Sequence, residues 1–271
     1  MMKDITLGQY FPGNSLLHKM DPRMKLVLTL CFIVLVFLPQ NWWGLLAAGL
    51  FLLLVIGLSR LPLRLMWRST KPVLFLVLFT SVLNVLYVHT GATVVKWGIL
   101  HVTTGGLSNA AFIAVRILCL IVGSSLLTYT TTPTALTDAI ERLLAPLKVI
   151  KVNPHELAMM MTIALRFIPT LMEETDKIMS AQKARGADME SGGLVQRVKA
   201  LVPILIPLFV SSFRRAYDLA MAMECRCYQG GKGRTRMKQL HTAFRDWMAL
   251  FVYVAVGVAI VWLNILFGKV L

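Results

Sequence analysis

The sequence predicts an all-α integral membrane protein of about five transmembrane helices, with a cytoplasmic module of amphipathic helices placed before the last span. Three observations carry this prediction. Hydrophobic residues make up 57% of the 271 residues, and the mean hydropathy is +0.70, values that belong to the membrane class. Five mostly apolar runs, 24–39, 42–59, 72–90, 107–128 and 246–268, approach the roughly 20 residues a bilayer requires. Eleven of the thirteen acids lie between Tyr129 and Asp246, so that stretch of mixed charge is built to meet water rather than lipid.

The first run is short but is nearly all Leu, Val, Ile and Phe. Pro39-Gln40-Asn41 forms a tight turn into the second run, where Trp42 and Trp43 suit a membrane interface. Charge orients the spans. Lys3, Lys19, Arg23 and Lys25 precede or open the first, and Arg60, Arg64, Arg68 and Lys71 fill the connection from second to third. The turn at 39–41 is uncharged, and 91–106 holds only Lys96. The positive-inside rule then places the N-terminus and 129–245 in the cytoplasm and the C-terminus outside. The chain reads as three parts: 1–128 with the N-terminal segment and spans one to four, 129–245 as the module, and 246–271 as the last span. The first apolar run begins near Leu26 and more spans follow, which reads as no cleaved signal peptide.

Within the module, Thr132-Pro133 starts a short helix with Leu136, Ile140, Leu143 and Leu147 at helical spacing, limited by Pro146. Asn153-Pro154 starts a second, from about 154 to 184, striped by Met161, Leu165, Ile168, Met172, Thr175 and Met179 and bent at Pro169. A third runs from about 198 to 226, where Pro203 and Pro207 are expected to break its apolar first part. The run 200–213 could dip into the bilayer instead of lying along it.

Several function classes are excluded. The net charge of +15 could suggest nucleic acid, but the basic residues flank apolar runs and no aromatic-basic face accompanies them. Cys31 and Cys119 lie in apolar runs, and Cys225-x-Cys227 has no second pair, so a four-ligand zinc site is not expected. His89 and His101 flank one outer loop without forming a metal-ligand pattern. Gly230-Gly231-Lys232-Gly233 lacks the spacing and the Lys-Ser/Thr pair of a Walker A loop, and no His-Glu-x-x-His or Gly-x-Ser-x-Gly motif occurs. No metal, cofactor or catalytic residue is assigned. The spans hold no carboxylate apart from Asp246 at an end, against a cation-coupled carrier. Arg116, midway along span four, is an intramembrane charge with no acid in the neighbouring spans; its partner is then a backbone carbonyl, a lipid headgroup, water or an acid of the cytoplasmic module, and its role is either structural or at an interface.

Two tripeptides stand out: Ala184-Arg185-Gly186 and Cys225-Arg226-Cys227, with their arginines 41 residues apart, each ending a helical pattern. A cation at a helix C-terminus complements the dipole, and a solvated end explains either alone. The repetition points to two similar acidic sockets on a partner, since arginine offers an always-charged fork. The module is also rich in methionine: Met159, Met160, Met161, Met172, Met179, Met189, Met221 and Met223. These are either packing filler or an adaptable docking surface.

Together the motifs, the five spans and the stretch from Tyr10-Phe11-Pro12-Gly13-Asn14 to Asp21-Pro22-Arg23-Met24-Lys25-Leu26 resemble EcfT, the transmembrane subunit of energy-coupling factor (ECF) transporters. The CbiQ subunit of metal-uptake systems belongs to the same family. The first motif fits the family's Ala-Arg-Gly pattern. The second departs from it at Cys225 and Cys227, so its helix is expected to end differently, with Gly230-Gly231 as the stop. The resemblance implies a non-catalytic importer subunit in a bacterial or archaeal cytoplasmic membrane. Two EcfA-type ABC ATPases, which hold the ATP and Mg, would dock at Arg185 and Arg226. One or more substrate-binding S-components would meet the methionine surface for vitamin or micronutrient uptake, beside anionic membrane lipid. The alternatives are a CbiQ-like subunit of a dedicated cobalt, nickel or single-vitamin importer, and an autonomous secondary transporter.

Overall fold

A computed structural model describes residues 10–87, 92–97, 100–150, 153–187, 193–230 and 240–268. His89, Met189 and Gly231-Lys232-Gly233 lie outside these described residues. The chain forms two compact units, one of Gly8–Ala139 with Gln239–Leu271 and one containing Ile140–Lys238.

The first unit contains α1 (Pro22–Phe37), α2 (Trp42–Ser59), α3 (Leu63–Tyr87), the antiparallel pair β1 (Thr93–Trp97) and β2 (Leu100–Thr103), α4 (Thr104–Thr130) and α8 (Phe244–Phe267). α5 (Pro133–Leu143) crosses the boundary between the units. The second unit begins at Ile140, and Thr130, Thr131, Thr137 and Ala139 just before it are buried.

The protein is a multi-pass helical membrane protein. Among the described residues, five helices are long and apolar enough to cross a bilayer: α2, α3, α4, α8 and the Lys199–Cys225 part of α7 (Leu194–Cys225). The set differs from the five runs of the sequence by one exchange. α1 has 16 residues, and at 1.5 Å per residue it covers about 24 Å of a roughly 30 Å hydrocarbon layer. α7 meets the length criterion with the lowest hydropathy of the five. α3 also begins nine residues ahead of the apolar run at 72, so Arg64, Arg68 and Lys71 are helical and Pro72 lies inside the helix.

Phe32 and Val36 of α1 pack with Phe51 and Leu52 of α2 and with Cys119, Leu126 and Tyr129 of α4. The α1–α4 contact is close at Gly123, where a Cβ would run into the Phe32 ring. Gly123→Ala is therefore expected to destabilise this unit by about 1–3 kcal/mol through overpacking. A lowered unfolding temperature of the purified protein checks it, and pairing with Phe32→Leu should recover most of the loss.

Polar side chains close both ends of this bundle. Where α1 and α8 begin, the Asp246 carboxylate, 1% exposed, accepts the backbone N–H groups of Asp21 (3.3 Å) and Ala243 (2.8 Å). Lys25 Nζ donates to the Thr130 carbonyl at the end of α4 at 2.9 Å, and the Phe11 N–H donates to the Tyr129 carbonyl at 3.0 Å. At the other end, the Asn264 amide donates to Leu38 O (2.8 Å) and accepts the Gln40 N–H (3.1 Å). Asn41 caps α2 through Gly44 N–H at 2.7 Å and donates to Leu263 O at 3.0 Å. Each bond satisfies a turn or helix-end group that lipid could not.

In the second unit, a 3-10 helix over Ala145–Ile150 leads to α6 (Pro154–Ala184), which packs on α7. Neither Pro203 nor Pro207 breaks α7, which runs unbroken from Leu194 to Cys225. Pro207 lacks the N–H that would bond the Pro203 carbonyl, and the Gln182 side-chain amide of α6 donates to that carbonyl instead, at 3.4 Å. The freed acceptor is thus satisfied from the neighbouring helix.

Candidate functional site

Ala184 is the last residue of α6, and Arg185 is its C-cap. The Gly186 N–H bonds Lys183 O at 3.0 Å and the Ala187 N–H bonds Gln182 O at 3.0 Å. Gly186 has φ +86°. This is a Schellman ending, in which a left-handed residue lets the chain turn back on the last carbonyls.

α7 ends the same way. Cys225 is its last residue and Arg226 its C-cap. The Cys227 N–H bonds Glu224 O at 2.8 Å and the Tyr228 N–H bonds Met223 O at 3.0 Å. Cys227 itself takes φ +56°. The expectation that this helix ends differently is therefore corrected: the hydrogen bonds match one for one, and Gly230 lies beyond the cap. What differs is a side chain in the left-handed region, which costs an L-residue about 1–2 kcal/mol. Cys227→Gly is expected to raise the unfolding temperature of the module and to leave the Arg226 position unchanged. Thermal unfolding of the wild type and variant decides it.

All six motif residues are exposed, and neither guanidinium is used in its cap. Each arginine is thus held by backbone alone and presents its charge to solvent.

α6 and α7 run antiparallel: Gln182 meets Pro203, Glu174 meets Arg215, and the Tyr228 hydroxyl donates to Met159 Sδ at 2.9 Å. The two motifs therefore sit at opposite ends of one helix pair. Arg215 Nη2 contacts Glu174 Oε2 at 2.6 Å, and each of these residues stands eleven positions before its own motif arginine. Twenty-two residues of rise separate the motifs by about 33 Å along the pair. A hydrogen bond from Ser211, followed by the Arg215 guanidinium, holds the Glu174 carboxyl below its ordinary value of 4.5.

The methionines divide by position. Met160, Met161 and Met221 are exposed, while Met159, Met172, Met179 and Met223 are half-buried. Met159 is engaged with Tyr228, so this residue belongs to the internal packing that holds the second motif.

Arg116 lies in the first unit, apart from these motifs. Its guanidinium donates to the Pro39 carbonyl at 2.5 Å and lies over the rings of Phe112 (4.7 Å) and Phe37 (5.9 Å). Among the described residues, a backbone carbonyl and aromatic faces are thus its partners, and no acid is.

Sequence reasoning overlooked the buried polar ties. Asn264 in an apolar run was the available signal.

The CbiQ family, described as cobalt transport protein, matches residues 13–237. The energy-coupling factor transporter transmembrane protein EcfT of Ruminiclostridium cellulolyticum is 52% identical over 266 residues, covering 94% of this chain and 99% of its own. The protein of the same name from Clostridium kluyveri is 56% identical over 251 residues, covering 92% of this chain and 93% of its own. That of Bacillus subtilis is 50% identical over 246 residues, covering 91% and 93%.

Proposed function

The chain belongs to the energy-coupling factor transporter transmembrane proteins, EcfT, within the wider CbiQ family, and from that premise we propose that it couples two ABC ATPases to a substrate-binding S-component. One observation carries this reading: two arginines with matching Schellman caps face solvent at opposite ends of one helix pair. Two like sockets on two like ATPases would take them. ATP and Mg would be held by those partners, and this chain would perform no chemistry.

Closing of the ATPases would move the far-apart ends of α6 and α7 against each other. The exposed Met160, Met161 and Met221, with the apolar face of α7 around Phe209 and Phe213, would pass that movement to the S-component. Met159, Met172, Met179 and Met223 would support that surface from beneath. The basic N-terminal segment, Arg60 and the basic start of α3 with Arg64, Arg68 and Lys71 would orient the module toward the cytoplasm, beside anionic lipid, and the C-terminus outward. A dedicated cobalt or nickel importer is the less favoured reading, because relatives matching nearly the whole chain carry the EcfT name.

Co-expression with its partners and native mass spectrometry test the proposal. Two ATPase subunits per chain, and no uptake into liposomes holding this chain alone, are the expected results. Uptake by the chain alone would make it an autonomous transporter instead.

A further inference from the structure

Helices α1, α2, α4 and α8 enclose a partly open cavity of about 230 Å³. Its walls are apolar along their length, with Phe32, Phe51, Val55, Leu127 and Val252 among them. Its two charged lining residues, Lys25 and Arg245, stand together where α1 and α8 begin. Lys25 is committed to the Thr130 carbonyl and has Asp21 and Asp246 beside it. Arg245 is exposed and makes no hydrogen bond or ion pair with any described residue.

We propose that this cavity is a binding site for one anionic glycerophospholipid, with an acyl chain between α1, α2, α4 and α8 and the headgroup phosphate on Arg245. The cavity belongs to a bundle of membrane helices, so hydrocarbon is the abundant apolar occupant. A chain in the slot removes its walls from contact with water at the interface. The unpartnered guanidinium at the rim forks onto a phosphate. Inorganic phosphate would satisfy Arg245 and leave the walls bare, and a neutral lipid would fill the walls and leave Arg245 bare. The charged rim is also the end that basic residues orient toward the cytoplasm, where anionic lipids give a negative surface. The inference rests on the membrane placement of this unit and is independent of the ATPase-coupling reading.

The test is native mass spectrometry of the full chain, purified with its partner subunits from membranes of phosphatidylglycerol and phosphatidylethanolamine. Wild type is expected to retain phosphatidylglycerol beyond its share of the membrane. Arg245→Gln should lower that enrichment about fivefold, the effect of one basic group at a bilayer surface. Ala249→Phe, which fills the slot, should lower retention of both lipids. Leu127→Phe does so from another wall if the first variant fails to assemble. Lipid in bulk proportion on the wild type, or unchanged enrichment in Arg245→Gln, would overturn the proposal. So would displacement of the lipid by inorganic phosphate, or retention by the isolated chain that is lost in the complex, which would assign the slot to a partner helix.

Discussion

Arg185→Glu combined with Arg226→Glu is expected to strip both ATPases from the complex while the chain still folds and inserts. The caps of α6 and α7 are closed by backbone hydrogen bonds alone, so reversing the side-chain charge leaves the helix ends in place. The added acid opposes the helix dipole by only about 0.3–1 kcal/mol. Loss of a docked, hydrogen-bonded charge pair costs about 2–5 kcal/mol, a weakening of roughly 30- to 4,000-fold in affinity. Because the motifs sit at opposite ends of the helix pair, each single variant should release one ATPase and keep the other. Affinity purification followed by subunit counting reads this out. Both ATPases retained at wild-type stoichiometry in the double variant would end the anchor reading. Arg185→Gln with Arg226→Gln separates loss of the cation from repulsion by the new acid.

Breaking the Glu174–Arg215 contact is expected to uncouple the two ends without releasing either ATPase. The pair stands midway between the motifs, eleven residues from each arginine. A partly exposed ion pair contributes about 1 kcal/mol or less to stability, so Glu174→Gln should fold and assemble. Transport per ATP hydrolysed should fall severalfold, since residues in direct contact couple by about 0.5–3 kcal/mol. The exchange of both residues, Glu174→Arg with Arg215→Glu, should restore much of it, and failure of that exchange while the protein remains assembled would remove the pair from the mechanism. Acid supplies an independent check. The Glu174 carboxyl is held below 4.5 by Ser211 and Arg215, so its contribution is complete above that value and is lost as pH falls through the lowered one. Hydrogen exchange across α6 and α7 should accelerate there in wild type and show a weaker acid response in Glu174→Gln.

Hydropathy and charge made much of the architecture legible. α2, α4 and α8 lie close to the apolar runs 42–59, 107–128 and 246–268. The repeated arginines were legible as well, because a cation after a long helical pattern is a local signal. Helix ends in the basic and proline-containing stretches were not. α3 extends back through Arg64 and Arg68, and α7 passes Pro203 and Pro207, because a neighbouring amide compensates for a missing N–H. A sequence window does not contain that neighbour.

Composition, hydropathy and the positions of charge by themselves determined the membrane class, most of the spans and the pair of motifs, since these properties are additive along the chain. Only the tertiary structure decided that Cys227 repeats the cap of Gly186, that the motifs occupy opposite ends of one helix pair, and that Arg116 rests on the Pro39 carbonyl. Those outcomes depend on backbone dihedrals and on contacts between residues far apart in sequence. The free energy of a left-handed cysteine or an intramembrane arginine is set by what surrounds it, and packing alone supplies the surroundings.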